Sequence, residues 1–405
     1  MKVVIIFLTF ILGNLLLSES LLFKNASVYT GNTTDILKNH DIYIVDGKIS
    51  AIDKGIDLSA DKIIDADGKI ITAGFISPFS HLGLVEINML SETRDDSTSI
   101  YSAGFSISQA FNPSSTLIPY NLNGGLTSAI SAPSGYGLFS GLGSVFSLSG
   151  ENNSLLLKDI ALYGSIEADG ESKAANLLLM EDVFEVAREF DTDLKDIQDY
   201  SLPDSFEYSK RDLIAIKRLL NREIPLVIPV NRASDILVMI EFAKNQNIDL
   251  VLMGVSEGWM VAKQLSESKI PVILEPINNL PTSFDKLGSR LENASLLHKE
   301  GVKILISSDR WETHNAYLSR QGAGIAVAYG LPWYEAVNAL SKNIADTFNI
   351  RNRGTLTIGH EADLIIWDKD PLEVTAFAEQ IYISGKLMSP NTRSLMLRDR
   401  YLNVN

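Results

Sequence analysis

Reactive side chains follow apolar runs at several points in this sequence. Gly74-Phe75-Ile76 leads through Ser77-Pro78-Phe79-Ser80 to a lone histidine, His81. Leu226-Val227-Ile228 ends in Pro229-Val230-Asn231-Arg232, and Val272-Ile273-Leu274 ends in Glu275-Pro276. Val302-Lys303-Ile304-Leu305-Ile306 ends in Ser307-Ser308-Asp309-Arg310, with His314 shortly beyond. Such runs suit buried parallel strands, whose C-terminal ends open into the pocket where barrel enzymes keep their chemistry. A buried Asp309 could carry a raised pKa and act as a general base without metal. Paired with Glu275 it could run the acid–base chemistry of a lyase or isomerase. Arg232 offers the planar fork that binds a carboxylate or phosphate, with Asn231 beside it. Each position also has a structural reading: a hydrogen-bonded core histidine at His81, an ion pair of Asp309 with Arg310 or Arg232, and a helix cap at Ser234.

The elements that must position these residues follow an alternating rhythm. From about 73 to 352, apolar strand-like runs alternate with amphipathic patterns such as Ser234–Asn245 and Glu257–Glu267. Strand, crossover helix and strand at roughly 20–30-residue spacing is the pattern of a parallel sheet or barrel. The stretch 84–123, rich in Ser, Asn and Thr, breaks the rhythm and reads as a loop insertion over the pocket side. Strands three and four fall somewhere within 143–166. Before this segment, 21–72 holds short alternating runs with an Asp46-Gly47 hairpin signal. After it, Gln380–Lys386 echoes Ile42–Lys48. The two ends, 21–72 and 353–390, are expected to pair into one composite β-sandwich, because neither alone could bury a face. The stretch 391–405 is a C-terminal tail.

Composition narrows the chemistry further. The 405 residues carry a net charge of −15, which disfavours nucleic acid and anionic membranes as partners. With no cysteine, thiolate nucleophiles, disulfides and Cys-based metal sites are excluded. Lys2, the apolar run Val3–Leu17 and the small residues Ser18 and Ser20 read as a secretory signal over 1–20, cleaved after Ser20. The run is shorter than the roughly 20 apolar residues needed to span a bilayer. A periplasmic or secreted protein with no membrane span after cleavage is therefore expected, and a homo-oligomer is compatible with the sequence.

Four stretches together resemble the amidohydrolase superfamily, most closely its imidazolonepropionase-like and cyclic-amide-hydrolysing branch. They are Ile64-Asp65-Ala66-Asp67-Gly68-Lys69 with Gly74-Phe75-Ile76, then Gly125–Ala129, then Ser308-Asp309, and finally Gly354–Leu364 closing with Trp367–Leu372. The resemblance covers nearly the whole chain after the leader, in the family's order. It implies a (β/α)₈ TIM-like barrel inserted into the composite sandwich, and hydrolysis of non-peptide, amide or cyclic-amide C–N bonds. It also implies one or two divalent metals, because three or more protein ligands on an ion such as Zn²⁺ turn its bound water into a nucleophile near pH 7.

The ligand set that the resemblance implies is depleted here. Phe79 stands where the first of two strand-one histidines is expected, and His81 keeps the second. Pro229 and Asn231 occupy the strand-five histidine region, Leu252–Ser256 carries no histidine after strand six, and strand four offers no convincing lysine. Asp309 is retained. The expectation is a hydrolase scaffold whose metal site, reduced to His81 and Asp309, holds a single divalent metal such as zinc or none. Activity would then be altered or lost. The alternative is a non-catalytic periplasmic small-molecule-binding or structural protein that keeps the barrel mouth as a ligand pocket, with Asn231, Arg232, Glu275 and His314 lining it.

Overall fold

The structure, a computed structural model, describes residues 19–135, 137–190, 208–278, 280–309, 313–389 and 391–402. Residues 1–18, most of the expected leader, lie outside the described residues. Five strands come first: β1 (Ser20–Val28), β2 (Leu37–Val45), β3 (Lys48–Asp53), β4 (Lys62–Asp65) and β5 (Ile70–Ala73). Eight follow in the middle: β6 (Phe75–Ser80), β7 (Leu126–Ser131), β8 (Phe139–Ser147), β9 (Leu155–Gly164), β10 (Leu226–Val230), β11 (Leu250–Gly254), β12 (Val272–Leu274) and β13 (Ile304–Ile306). The last three are β14 (Leu364–Trp367), β15 (Ala378–Ile383) and β16 (Lys386–Met388).

The two ends of the chain do meet, but in one hydrogen-bonded sheet. Its order is β16-β15-β14-β5-β1-β2-β3, with β4 branching from β1. The join is β14 antiparallel to β5, with Ile365 opposite Thr72 and Trp367 opposite Ile70. The expected composite sandwich of two facing sheets is thus not what the hydrogen bonding shows. The Asp46-Gly47 turn joins β2 to β3, with both residues at positive φ as a tight hairpin requires. Ser20, next to the expected cleavage point, is the first residue of β1, and its N–H and hydroxyl both donate to Asp61.

The middle strands form a second sheet in chain order, β6 through β13. It is nearly closed, and the backbone at Ala339 and Leu340 bridges the gap by accepting from Ile306 N–H and Ile76 N–H. The (β/α)₈ expectation needs one correction. β8 runs antiparallel to both β7 and β9, so seven strands are parallel and one is reversed. Short connections of Ala132–Leu138 and Leu148–Ser154 replace two crossover helices there. This is why no strand–helix rhythm marked strands three and four.

The sheet and the barrel are one residue apart. Between Ala73 of β5 and Phe75 of β6 lies Gly74, whose Cβ, if it had one, would sit 2.2 Å from Thr127 Oγ1. Trp367, fully buried, secures the same seam: its indole N–H donates to Thr72 and its ring stacks on Phe75. Gly74→Ala is expected to destabilise the fold by about 1–3 kcal/mol through overpacking. Urea unfolding of this variant, with and without Thr127→Ala, checks the point. Recovery of part of the loss in the double mutant is the expected coupling, and an unshifted midpoint in the single mutant would refute it.

Candidate functional site

The C-terminal ends of the barrel strands are the place to look for chemistry. Phe79 lies near the end of β6, Tyr163 near the end of β9 and Met253 near the end of β11. All three belong to one buried apolar cluster with Ile76, Val227, Ile273 and Leu305, which fills the barrel interior. The Phe79 ring touches both His81 and Tyr163, with centroids 5.2 Å and 5.8 Å away. The Tyr163 hydroxyl is buried and has no hydrogen-bond partner among the described residues, and burial pushes its pKa well up. It is therefore a neutral phenol.

His81 follows directly on β6 and is 6% exposed. Its Nδ1 lies 2.8 Å from the Ala132 carbonyl, which can only accept, so Nδ1 carries the proton and Nε2 keeps the lone pair. Burial lowers the His81 pKa, and the opposing pull of Asp96 and of the Ala132 carbonyl does not make up the difference. The Asp96 oxygen 4.0 Å away is therefore not a salt-bridge partner of a charged imidazole. Asp96 is satisfied elsewhere. Arg94 donates to both its oxygens at 3.1 and 2.7 Å, and Ser134 donates to Oδ2 at 2.5 Å. Burial alone would raise the Asp96 pKa, but these hydrogen bonds outweigh it and hold the carboxyl below its ordinary range. This buried pair folds the stretch 84–123 down beside His81. That stretch carries a helix at Leu117–Asn123, and its Leu84, Val85 and Ile107 form a small core with Phe146 of β8.

The loops around the mouth are tied to one another by charge. Arg232 reaches Asp285 at 2.5 Å, rather than the expected Asp309. Lys173 contacts Glu167, Asp235 and Asp285 at 2.9, 2.6 and 3.3 Å. The loops after β9, β10 and β12 are thereby joined in one network. The helix after β10 is not capped by Ser234, as the sequence suggested. Arg232 occupies the N-cap without a side-chain bond, and the buried Glu257 accepts from Ala233 N–H at 2.9 Å. The other Glu257 oxygen accepts from Gly288 N–H, tying the β11 and β12 loops together. Asn231 Oδ1 accepts from Ser256.

The remaining candidates are dispersed. Glu275 lines a small cleft with Gly254, Ser256, Asn278, Lys286 and Asn293, with a volume of about 10 Å³, room for little more than a water. Asp309 is half-buried just past β13. His314 is exposed at the head of the helical turn Thr313–Leu318, whose backbone Asn121 clamps through the His314 carbonyl and Tyr317 N–H. Arg310 lies outside the described residues. Among the described residues no three His, Asp or Glu side chains converge as metal ligands. Among the described residues at these strand ends, His81 offers one nitrogen, Phe79 offers nothing, and a neutral buried Tyr163 is a poor ligand. Glu257, Lys173 and the Arg94–Asp96 pair escaped the sequence reading because charged residues in polar stretches look like solvated surface.

Residues 235–388 match the model of the amidohydrolase family. Over 73 residues the chain is 42% identical to 5-methylthioadenosine/S-adenosylhomocysteine deaminase of Thermococcus sibiricus, which is 18% of this chain and 17% of that protein. The matched stretch thus spans under a fifth of that relative's length. An amidohydrolase structure from Thermotoga maritima superposes with a TM-score of 0.78 at 23% identity, covering 91% of this chain and 99% of that one. A zinc-bound adenosine deaminase from Xanthomonas campestris superposes with a TM-score of 0.55 at 13% identity, covering 94% and 97%. The structural likeness shows that the chain shares the fold of these proteins, and its residues 235–388 carry the sequence match to the amidohydrolase family. The relatives are named as deaminases and amidohydrolases.

The buried neutral His81 has a consequence for stability. An unfolded histidine titrates near pH 6.5, above the folded value, so the unfolded chain binds the proton first. Stability is therefore full above about pH 6.5 and falls as the pH drops toward the folded pKa. Urea midpoints between pH 7.5 and about 5.5, above the ordinary carboxylate range, are expected to fall in the native chain and to flatten in His81→Gln. An equal slope in the variant would assign the loss to other groups.

Proposed function

We propose that the barrel mouth binds a small polar molecule and does not carry out the metal-hydroxide hydrolysis of its superfamily. The observation that carries this reading is the side-chain filling of the mouth. The rings of Phe79 and Tyr163 and the thioether of Met253 stand at the strand ends where a metal centre would need donors. A divalent ion requires at least three protein ligands and a place for water. An apolar cluster supplies neither.

Features of a binding site remain. The Tyr163 and Ser307 hydroxyls are buried at the strand ends without hydrogen-bond partners among the described residues, and a ligand with polar atoms would satisfy them. The loops after β9, β10 and β12, on the same strand-end side, are linked by charge. A small molecule entering such a mouth would have to widen the water-sized cleft at Glu275, and would then meet an apolar floor and a few placed polar groups, the usual make-up of a ligand site. The activities named for the relatives, deaminase and amidohydrolase, favour a molecule with a C–N bond, such as a cyclic amide. A periplasmic or secreted location, from the leader over 1–20, fits a scavenging or sensing role.

A second reading keeps catalysis without metal. Asp309 at the end of β13 is half-buried and stands where a general base would serve. One pair of measurements separates the two. Metal content after dialysis is expected to be far below one equivalent, and turnover of a panel of cyclic amides to be absent both with and without added Zn²⁺. A stoichiometric metal lost in His81→Ala and Asp309→Ala would overturn the proposal. Metal-independent turnover abolished by Asp309→Asn would select the second reading.

A further inference from the structure

The floor of the barrel carries a second cavity, remote from the mouth. Ile344, Phe348 and Ile350 pack into the barrel-interior cluster alongside Leu156 and Leu157 from the start of β9, which places the segment 342–353 beneath the N-terminal ends of the strands. Between this segment and the terminal sheet lies a cleft of about 390 Å³. That volume is within the range of small-molecule sites, roughly 300–1,000 Å³.

Its lining is cationic in a strongly acidic protein. Lys342, Arg351 and Arg353 face it, against a single carboxylate, Asp346. Two of the cations are committed. Lys342 pairs with Asp346 at 2.8 Å, and Arg353 is bound to the buried Asp363. Arg351 is exposed and has no ion-pair or hydrogen-bond partner among the described residues. Its backbone is nonetheless held firmly. Ile350 is buried on one side and donates to the Ala345 carbonyl, while Asn349 and Asn352 both adopt the left-handed conformation that fixes the turn. Opposite stands a hydrogen-bonded run of Asn32, Thr357, Thr355 and His360, with contacts of 2.8, 2.9 and 3.1 Å. A presented guanidinium facing hydroxyl and amide donors is the chemistry that recognises oxyanions.

We propose that this cleft binds a small oxyanion-bearing metabolite, phosphorylated or carboxylated, with Arg351 as its anchor. The site is independent of the barrel mouth and of whatever binds there. Calorimetric titration of the purified chain with inorganic phosphate and, separately, with citrate at constant ionic strength tests it. Saturable binding of at least one is expected, weakened about tenfold or more in Arg351→Ala and less in Arg351→Lys. Tighter phosphate would mark a phosphorylated ligand and tighter citrate a carboxylated one. Because Arg351 is exposed, the variant should melt with the native chain, and Thr357→Ala provides a second loss on the opposite wall. Absence of saturable heat with both probes, or unchanged affinity in Arg351→Ala, would overturn the proposal.

Discussion

The geometry of this protein depends on a single residue that cannot carry a side chain. At Gly74 the chain leaves the terminal sheet and enters the barrel, and any Cβ there would collide with Thr127 on β7. The corner lets β5 pair with β14 while β6, one residue later, starts the barrel beside β7. Trp367 then locks the two layers. It lies against Phe75 of the barrel and Thr72 of the sheet, and the Arg320 guanidinium sits 5.3 Å from its ring centroid. Gly125, at the entrance to β7, is also constrained by this indole, since a Cβ would come within 2.5 Å of it. First and last segments of a long chain are thus joined at the place where barrel strand one begins. The position of His81, seven residues on from Gly74, is inherited from that corner.

How much of this could be read from the residues follows from which physical signals are local. Apolar runs ending in polar clusters marked β6, β10, β11, β12 and β13, because a strand buried on both faces must be apolar throughout. The pairing of the two ends was legible through the repeated Tyr-Ile and Gly-Lys pattern in β2–β3 and β15–β16. Its form was not, since a strand alternating between buried and exposed faces looks the same in a single branched sheet as in a sandwich. The reversed β8 was equally hidden. Phe139–Ser147 and Leu155–Gly164 have apolar content that suits either direction, and direction is decided by the length of the connection rather than by the strand itself.

The site was half legible for a related reason. Identity alone told that Phe79 and Pro229 have no side-chain donor for a metal and that Asn231 is not the expected histidine. What identity could not tell is how the freed space is used. Tyr163 sits in a run of ordinary strand residues, and only the fold brings its ring against Phe79. Asp96 lies in a stretch whose composition reads as solvent-exposed loop, yet it is wholly buried and held by Arg94 and Ser134. A buried carboxylate is tolerated only when its oxygens are satisfied. Here the partners sit two residues before it and on the segment after β7, so the ion pair organises the long excursion between β6 and β7.

These observations bear on how the barrel keeps its shape. A metal centre holds its ligands in place because binding free energy becomes folding free energy, and the empty site is left with polar donors out of water. In this chain the same level of the barrel is occupied by Phe79, Tyr163 and Met253, each burying apolar surface worth about 25 cal/mol per Å². Stability at the mouth therefore rests on packing, which needs no ion and is present in the chain as it folds. His81 fits that arrangement as well: neutral, strapped to Ala132 and edge-on to Phe79, it closes the core while its Nε2 lone pair remains for a hydrogen bond. A mouth built this way suits a ligand held by shape and a few hydroxyls, and among the described residues no cluster of metal-ligating side chains stands there to lower the pKa of a water. On the proposed reading, recognition and hydrolysis are physically separable, and the apolar strand ends fit the first.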